Sequence, residues 1–170
     1  MPCPFRDCAN KLLTMPKAAV LILAASAGSL IFALIFQFGF DYEPCILCLW
    51  QRVPFILAIL LAALTLTSVL RPYAAILFSL CALVFLTGAG LAIFHTGVEQ
   101  HWWLGTSGCT ITPLHGGSVE DLRTQLLHTV VARCDEVKWK FFGLSMANYN
   151  VGCSLVLAAF SFGAARKAAA

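Results

Sequence analysis

Four long apolar stretches constrain the fold of this chain more than any other feature of its sequence. They cover residues 18–38, 53–70, 74–94 and 149–165. A helix that crosses a membrane needs about 20 consecutive, mostly apolar residues. The stretches therefore predict an all-α integral membrane protein, in which a four-transmembrane-helix bundle forms a single membrane domain over residues 1–170.

The composition argues against a soluble, disordered or nucleic-acid-binding protein. Hydrophobic residues make up 60 % of the 170 residues and charged residues only 11 %, and the mean hydropathy is +0.85. A soluble domain usually has about 25 % charged residues, and disordered chains are polar and rich in charge. The net charge of +3 comes from scattered basic residues, so the expected partner is the lipid bilayer and not nucleic acid.

The distribution of charge predicts the orientation of the helices. One end of the four stretches carries six basic residues and one acidic residue, and the basic ones are Arg6, Lys11, Lys17, Arg71, Arg166 and Lys167. The other end carries five basic and seven acidic residues. Because cytoplasmic loops hold the excess of Lys and Arg, we expect a multi-pass protein with both termini in the cytoplasm. The outward-facing segments then lie at about 39–52 and 95–148.

The second outward segment is long for a connection between helices and contains several Trp residues. Loops beyond about 15 residues are usually functional or disordered, and Trp favours the membrane–water interface. Ser118 with Asp121 is typical of a helix start. Apolar residues follow at helical spacing, namely Val119, Leu122, Leu126, Val130 and Val131. This pattern predicts a short amphipathic helix that lies either on the outer leaflet or on the loop itself.

The eight cysteines divide by their position relative to the membrane. Cys3 and Cys8 fall on the cytoplasmic side, where thiols stay reduced. Cys81 and Cys153 lie inside apolar stretches, where a cysteine behaves as a small buried hydrophobe. The outward segments carry one close pair, Cys45 with Cys48, and one distant pair, Cys109 with Cys134.

The Cys-x-x-Cys spacing of the close pair suits a reversible disulfide, a structural disulfide or half of a zinc site. A zinc site needs further ligands. The other two outward cysteines are isolated, and His101, His115 and His128 lack a ligand spacing. We therefore expect a thiol site without a metal.

The residues around Cys48 favour a reactive thiol. Pro44 can begin a helix, and the positive end of that helix favours a thiolate in its first turns. Arg52 follows Cys48 by four residues, so its guanidinium can share the same face, or it can instead extend to the lipid headgroups. Pro54 should kink this helix or mark its true start. His95, at the end of the third stretch, is either an interface residue or a hydrogen-bond donor to a ligand.

Two thiol pairs on one membrane face can pass electrons to each other by disulfide exchange. The electrons must then leave the protein. The sequence contains no haem signature, no flavin fingerprint and too few ligands for an iron–sulfur cluster. A quinone dissolved in the bilayer is the simplest acceptor that remains.

Three parts of the sequence together resemble the bacterial disulfide bond formation protein B family, DsbB. The first is Pro44-Cys45-Ile46-Leu47-Cys48 followed by Arg52, the second is His95, and the third runs from Cys134 through Trp139, Phe142, Gly143, Leu144 and Met146. The resemblance implies a four-helix bundle in the bacterial inner membrane. It implies an enzyme of periplasmic oxidative folding that reoxidises the soluble dithiol oxidase DsbA and passes the electrons to ubiquinone or menaquinone, without a metal.

The resemblance also implies a role for each matching residue. Cys109 is the residue attacked by the reduced partner, Cys134 is released and exchanges with Cys45, and Cys48 becomes a thiolate against the quinone ring. Arg52 then stabilises that thiolate and the charge that moves onto the quinone.

His95 is implied to contact the quinone, and Met146 is a second contact of the same kind. Gln51 departs from the family pattern, in which an acidic residue often precedes this arginine, and this affects local electrostatics.

Two further classes of protein remain as alternatives. Vitamin K epoxide reductases also combine a Cys-x-x-Cys pair with quinone chemistry, but they usually place that pair near the last helix, after the loop cysteines. Here the close pair comes before the second stretch. The other alternative is a membrane scaffold or small transporter with structural disulfides, although the stretches lack the charged residues that often mark a transport path.

Overall fold

The computed structural model describes residues 14–106, 109, 118 and 133–169. Within these residues, five α-helices occupy Met15–Gly39 (α1), Ile46–Trp50 (α2), Arg52–Leu66 (α3), Ala74–Glu99 (α4) and Met146–Ala169 (α5). A 3₁₀ turn at Arg71–Tyr73 leads into α4, and two short strands cover Lys140–Phe141 (β1) and Leu144–Ser145 (β2). The described part of the chain is therefore mostly helical.

Within the part of the chain that the structure describes, four helical segments are long and apolar enough to cross a membrane, and they confirm the predicted four-helix membrane class. They are Met15–Gly39, Ile46–Leu66, Arg71–Glu99 and Met146–Ala169. Of the amphipathic helix predicted in the long loop, only Ser118 lies among the described residues.

The helix boundaries differ from those of the apolar stretches. The second stretch was expected at 53–70, but α3 ends at Leu66 because Thr67 adopts an extended backbone. The third was expected to end at 94, yet α4 continues to Glu99, and the fourth begins at Met146 rather than 149. Apolar residues mark the hydrocarbon layer, whereas a helix continues into polar residues for as long as its backbone hydrogen bonds are satisfied.

The connection between α2 and α3 explains how Pro54 is accommodated. The chain leaves α2 at Trp50, passes through one turn at Gln51 and enters α3 at Arg52. Pro54 therefore falls in the first turn of α3, where a backbone N–H would have no acceptor within the helix, so proline costs no hydrogen bond there. The segment predicted at 39–52 is consequently not a simple loop, because α2 lies within it.

Small residues allow the helices to pack closely. α5 packs most extensively against α4, and α3 contacts both α1 and α4. Phe55 and Phe85 meet edge-on in the core with ring centres 5.9 Å apart. A side chain at Gly88 would place its Cβ 3.1 Å from the Cβ of Pro54, so the start of α3 approaches α4 only because this position has no side chain.

The helix faces that point away from the centre of the bundle carry exposed apolar side chains, among them Ile31 and Phe32 of α1, Leu83 of α4 and Val156 of α5. A soluble protein rarely exposes so continuous an apolar surface. Lipid chains would cover these faces in a membrane.

A short hairpin precedes α5. β1 and β2 pair in antiparallel register, with Lys140 opposite Ser145 and Phe141 opposite Leu144. Phe142 and Gly143 form the turn, with φ of 47° and 80°, and a two-residue turn of this kind requires positive φ at both positions. The hairpin places Ser145 directly before α5 and beside the end of α4.

Candidate thiol redox site

Cys109 and Cys134, the distant pair, are joined in a disulfide bond. Each is only about 1 % exposed. They belong to a buried cluster with Cys45, Leu47 and Val98, and Cys48 packs against that cluster. The fold therefore packs the distant pair against the close pair, and the disulfide itself joins positions 25 apart in the sequence.

Cys45 and Cys48 are both free thiols, with their sulfur atoms 3.0 Å apart. Cys45 is the residue before α2, and its sulfur accepts the backbone N–H of Cys48 at 3.3 Å, as an N-cap side chain does. The contact with the Cys48 thiol and the nearby His95 ring lower the pKa of Cys45, and they outweigh the opposing effect of burial. Cys45 is thus the sulfur that its surroundings stabilise as a thiolate when both thiols are free.

A chain of buried polar side chains fixes the orientation of His95. The Ser154 hydroxyl donates to Asn150 Oδ1 at 3.0 Å, and Asn150 Nδ2 donates to the carbonyl oxygen of Gln51. The amide nitrogen of Gln51 then lies 2.7 Å from His95 Nδ1, and with the two side-chain amides oriented in this way Nδ1 accepts and the ring proton is on Nε2. His95 Nε2 lies 3.6 Å from the sulfur of Cys45.

Glu99 also faces the Nε2 atom of His95. One of its carboxylate oxygens lies 3.8 Å from His95 Nε2, and the side chain is only 7 % exposed. The Ser145 hydroxyl donates to the other oxygen, and the Ser145 oxygen in turn accepts from the side chain of Asn148. Glu99 is not among the site residues predicted from the sequence, although its position four residues after His95 on one helix is a signal for a contact between the two side chains.

Arg52 points toward α1. Its Nη1 donates to the side-chain oxygen of Gln37 at 2.7 Å. The spacing of four residues predicted that this guanidinium lies beside Cys48 on one helix face. The turn at Gln51 instead interrupts the helix between the two residues. Both Arg52 and Cys48 nevertheless line the same cavity.

A cavity of about 690 Å³ opens beside the close pair. Its wall on the α1 side is apolar, with Ala33 and Phe36 among the residues that form it. The opposite wall includes five of the predicted site residues, namely Cys45, Cys48, Arg52, His95 and Met146. Gln51 and Glu99, to which the sequence analysis gave no role, line the cavity with them. Among the described residues, Cys109 and Cys134 lie behind Cys45 and do not line this cavity.

The ligand atoms of Cys45, Cys48 and His95 lie within 4.8 Å of one another, a spacing at which three residues can hold a metal ion. A metal would need the lone pair of His95 Nε2. The hydrogen-bond chain through Gln51 places a proton on that nitrogen, so the geometry favours His95 as a hydrogen-bond donor.

These features define a class of protein: a multi-pass membrane protein with a buried disulfide and a close thiol pair packed together beside an apolar cavity. Comparison with known proteins gives the family. The sequence profile of the family described as Disulfide bond formation protein DsbB matches residues 16–164, and the chain belongs to that family.

Individual relatives agree with this assignment. The chain is 32 % identical to the Disulfide bond formation protein B of Xylella fastidiosa (strain Temecula1) over 139 residues, which cover 77 % of this chain and 78 % of that protein. It is 29 % identical to the protein of the same name from Aromatoleum aromaticum over 147 residues, or 82 % of this chain and 86 % of the relative. No solved structure matches the chain.

The family assignment confirms the resemblance seen in the sequence. The protein is a disulfide oxidoreductase of the membrane that acts in disulfide bond formation.

Proposed function

We propose that this protein is a thiol:quinone oxidoreductase, which reoxidises a periplasmic DsbA-type dithiol oxidase and passes the electrons to ubiquinone or menaquinone in the membrane. The observation that carries the proposal is the packing of two cysteine pairs in one buried cluster, with the close pair facing an apolar cavity. Neither a scaffold nor a transporter needs such an arrangement.

The exchange begins at the distant pair. A thiolate of the reduced partner attacks Cys109, which breaks the Cys109–Cys134 bond and leaves Cys134 as a thiolate. Cys134 then attacks Cys45 of the oxidised close pair and releases Cys48 as a thiolate. The second thiol of the partner resolves the mixed disulfide at Cys109, so the partner leaves with its own disulfide.

The electrons then reach the quinone through the close pair. Cys109 attacks Cys134, which re-forms the Cys109–Cys134 bond, breaks the Cys134–Cys45 bond and leaves Cys45 reduced beside Cys48. The reduced close pair then passes two electrons to the quinone as the Cys45–Cys48 bond forms again. In the complete cycle the partner loses two electrons and two protons, and the quinone gains the same number of each. The burial of Cys45 next to Cys109 and Cys134 supports direct exchange between the pairs.

The cavity suits a quinone. Its volume of about 690 Å³ falls within the range of small-molecule sites. The apolar wall of α1 fits the ring face and the isoprenoid tail, while Arg52 and His95 supply N–H donors for the ring oxygens. Met146 adds a flexible apolar contact on the opposite helix.

The proposed location is the bacterial inner membrane, with both termini in the cytoplasm. The Cys109–Cys134 bond then lies on the periplasmic side, where the oxidising compartment preserves disulfides. A small second pocket of about 250 Å³, lined by Cys109 and by Trp102, Trp103 and Leu104, faces the same side and supports docking of a soluble protein there.

The test follows quinone absorbance after a reduced DsbA-type protein is added to the purified protein in detergent. We expect quinone reduction that is lost in Cys48→Ala, because the close pair then has no second sulfur. Cys109→Ser should block oxidation of the partner while leaving the close pair able to form its disulfide. Cys81→Ala is the matched control, since Cys81 is buried in α4 outside both pairs. Absence of quinone reduction by the folded wild-type protein would contradict the proposal.

A further inference from the structure

We propose that Glu99 takes the proton of the Cys45 thiol when the close pair is oxidised and delivers it to the quinone, so that Glu99 is a proton carrier of the site. The proposal rests on the function proposed above. It is carried by the position of His95 Nε2, which lies 3.6 Å from Cys45 and 3.8 Å from Glu99.

His95 is held as a fixed donor between two acceptors. The chain from Ser154 through Asn150 and Gln51 ends at Nδ1, so only Nε2 has a proton to donate. That one N–H cannot serve a Cys45 thiolate and a Glu99 carboxylate fully at the same time. The two groups therefore compete for it.

Burial strengthens the competition. Both Cys45 and the Glu99 side chain are less than 10 % exposed. Two negative charges this close repel each other strongly when little water surrounds them. The favoured states carry one negative charge: a Cys45 thiol beside a Glu99 carboxylate, or a Cys45 thiolate beside a protonated Glu99. A proton that moves from Cys45 to Glu99 converts the first state into the second without changing the buried charge.

The surrounding charges do not remove this coupling. Among the described residues, the ring of His95 lies 3.8 Å from Glu99 and is neutral with Nε2 as its one protonated nitrogen, and the hydrogen-bond partner of Glu99 is the neutral Ser145. The thiol of Cys48 also contacts Cys45. The remaining charged groups that face the site come from α3, β1 and the segments before α2 and β1, and they are Arg52, Lys140, Glu43, Arg133, Glu136 and Lys138.

The proton balance of the reaction requires a route for the proton of Cys45, and Glu99 provides it. When the reduced close pair is oxidised, the Cys45–Cys48 bond forms and two electrons pass to the quinone. The quinone also takes up two protons. The Cys48 thiol supplies one, and Cys45 supplies the other through Glu99, which lines the cavity together with both thiols.

A purely structural role for Glu99 is the competing explanation. The carboxylate could simply stabilise the end of α4 and anchor Ser145 of the hairpin. Glu99→Gln separates the two explanations, because glutamine keeps the size of the side chain and can still accept from Ser145 but cannot hold a proton at a carboxylate.

The first measurement is the pH dependence of Cys45 alkylation by iodoacetamide. It uses full-length protein with Cys48 replaced by Ser, the other free cysteines replaced by Ala and the Cys109–Cys134 disulfide intact. Glu99→Gln removes a negative charge near Cys45, so we expect the midpoint to move down by about one pH unit. Glu136→Gln is the matched control: it also removes a cavity-lining carboxylate, but one paired with Arg133, and should not move the midpoint.

The second measurement is quinone-coupled turnover in the protein with all native cysteines. Loss of a proton carrier should slow Glu99→Gln by roughly tenfold or more, even though its Cys45 is ionised more easily. Glu99→Asp, which keeps a carboxylate, should recover part of the rate. A more reactive thiol with slower turnover is a combination that a structural role does not produce.

An unchanged alkylation midpoint in Glu99→Gln overturns the proposal, whatever happens to the turnover. A lower midpoint with unchanged turnover overturns it as well, because the charges would then be coupled without any proton transfer by Glu99. The alkylation experiment requires no quinone, so a failure of quinone reduction in the wild-type protein is distinguished from a failure of the Cys45–Glu99 coupling.

Discussion

Gln51 and Arg52 are neighbours in the chain, but their side chains reach different helices. Gln51 contacts His95 in α4 and Asn150 in α5, whereas Arg52 contacts Gln37 in α1. Consecutive positions on a helix point about 100° apart, so one turn of chain can join helices on different sides of the cavity. We therefore expect the two positions to have separable effects, with Gln51 acting on the thiol chemistry and Arg52 on ligand binding in the cavity.

Arg52→Ala should weaken the use of quinone more than it weakens the fold. A charged hydrogen bond to a ring oxygen contributes about 1.5–3 kcal/mol, so we expect the apparent KM for quinone to rise by roughly tenfold or more. The midpoint of thermal unfolding should change little, because the guanidinium is only half-buried.

Steady-state kinetics over a range of quinone concentrations measure this effect. Arg71→Ala is the control, since Arg71 lies in the exposed turn before α4 and outside the cavity. An unchanged apparent KM and turnover in Arg52→Ala would assign Arg52 to the lipid headgroups and remove it from the quinone site.

At the scale of elements, the β1–β2 hairpin links the redox site to α5. Its turn holds Phe142 and Gly143 at positive φ, and it positions Ser145 to donate to Glu99. Tyr149 of α5 also stabilises the hairpin, because its hydroxyl donates a hydrogen bond to the backbone carbonyl of Phe141 at 2.9 Å. The hairpin, which precedes α5, thus holds the Glu99 carboxylate of α4 in position.

Gly143→Ala and Gly152→Ala should change stability in opposite directions. At Gly143, φ is +80°, and an L side chain there costs about 1–2 kcal/mol. At Gly152, in the middle of α5, an added Cβ meets nothing within 4 Å, and alanine should stabilise the helix by about 1 kcal/mol. Thermal unfolding of both variants in the same detergent measures the difference, and a shift of equal sign would contradict the assigned turn.

The sequence predicts the elements better than it predicts the contacts between them. The four membrane helices follow from length and hydropathy, because the bilayer imposes both. The short α2 and the break at Gln51 depend on the cap at Cys45 and on Pro54, whose combined effect no periodicity reveals. The hydrogen bond between Gln51 and Asn150 joins residues 99 positions apart in the sequence, so it exists only in the folded chain.

At the scale of the whole molecule, the reactive groups gather at one end of the helices. Cys45 precedes α2, His95 and Glu99 lie in the last turns of α4, and the hairpin with Ser145 precedes α5. These helix ends meet because α4 and α5 pack side by side and are connected through the long outward segment. The opposite end carries basic residues, such as Arg166 and Lys167 in the last turn of α5, and it is the end proposed to face the cytoplasm.

Reporter fusions should confirm this orientation. Alkaline phosphatase, which is active only outside the cytoplasm, should be inactive when fused after Ala169 and active when fused after Leu104. Green fluorescent protein should give the reverse pattern at the same two sites. Phosphatase activity at the C-terminal site would contradict the assignment of the termini to the cytoplasm.

The burial of the Cys109–Cys134 bond also determines which reductants can use the protein. With each cysteine about 1 % exposed, a thiol arriving from solution finds no sulfur to attack until the cover over the bond is displaced. A folded protein that binds the surrounding surface can supply the free energy for that displacement, whereas a small thiol in free solution offers too little contact area. In the proposed cycle, the shielding of this bond would therefore make exchange with protein dithiols much faster than exchange with low-molecular-weight thiols.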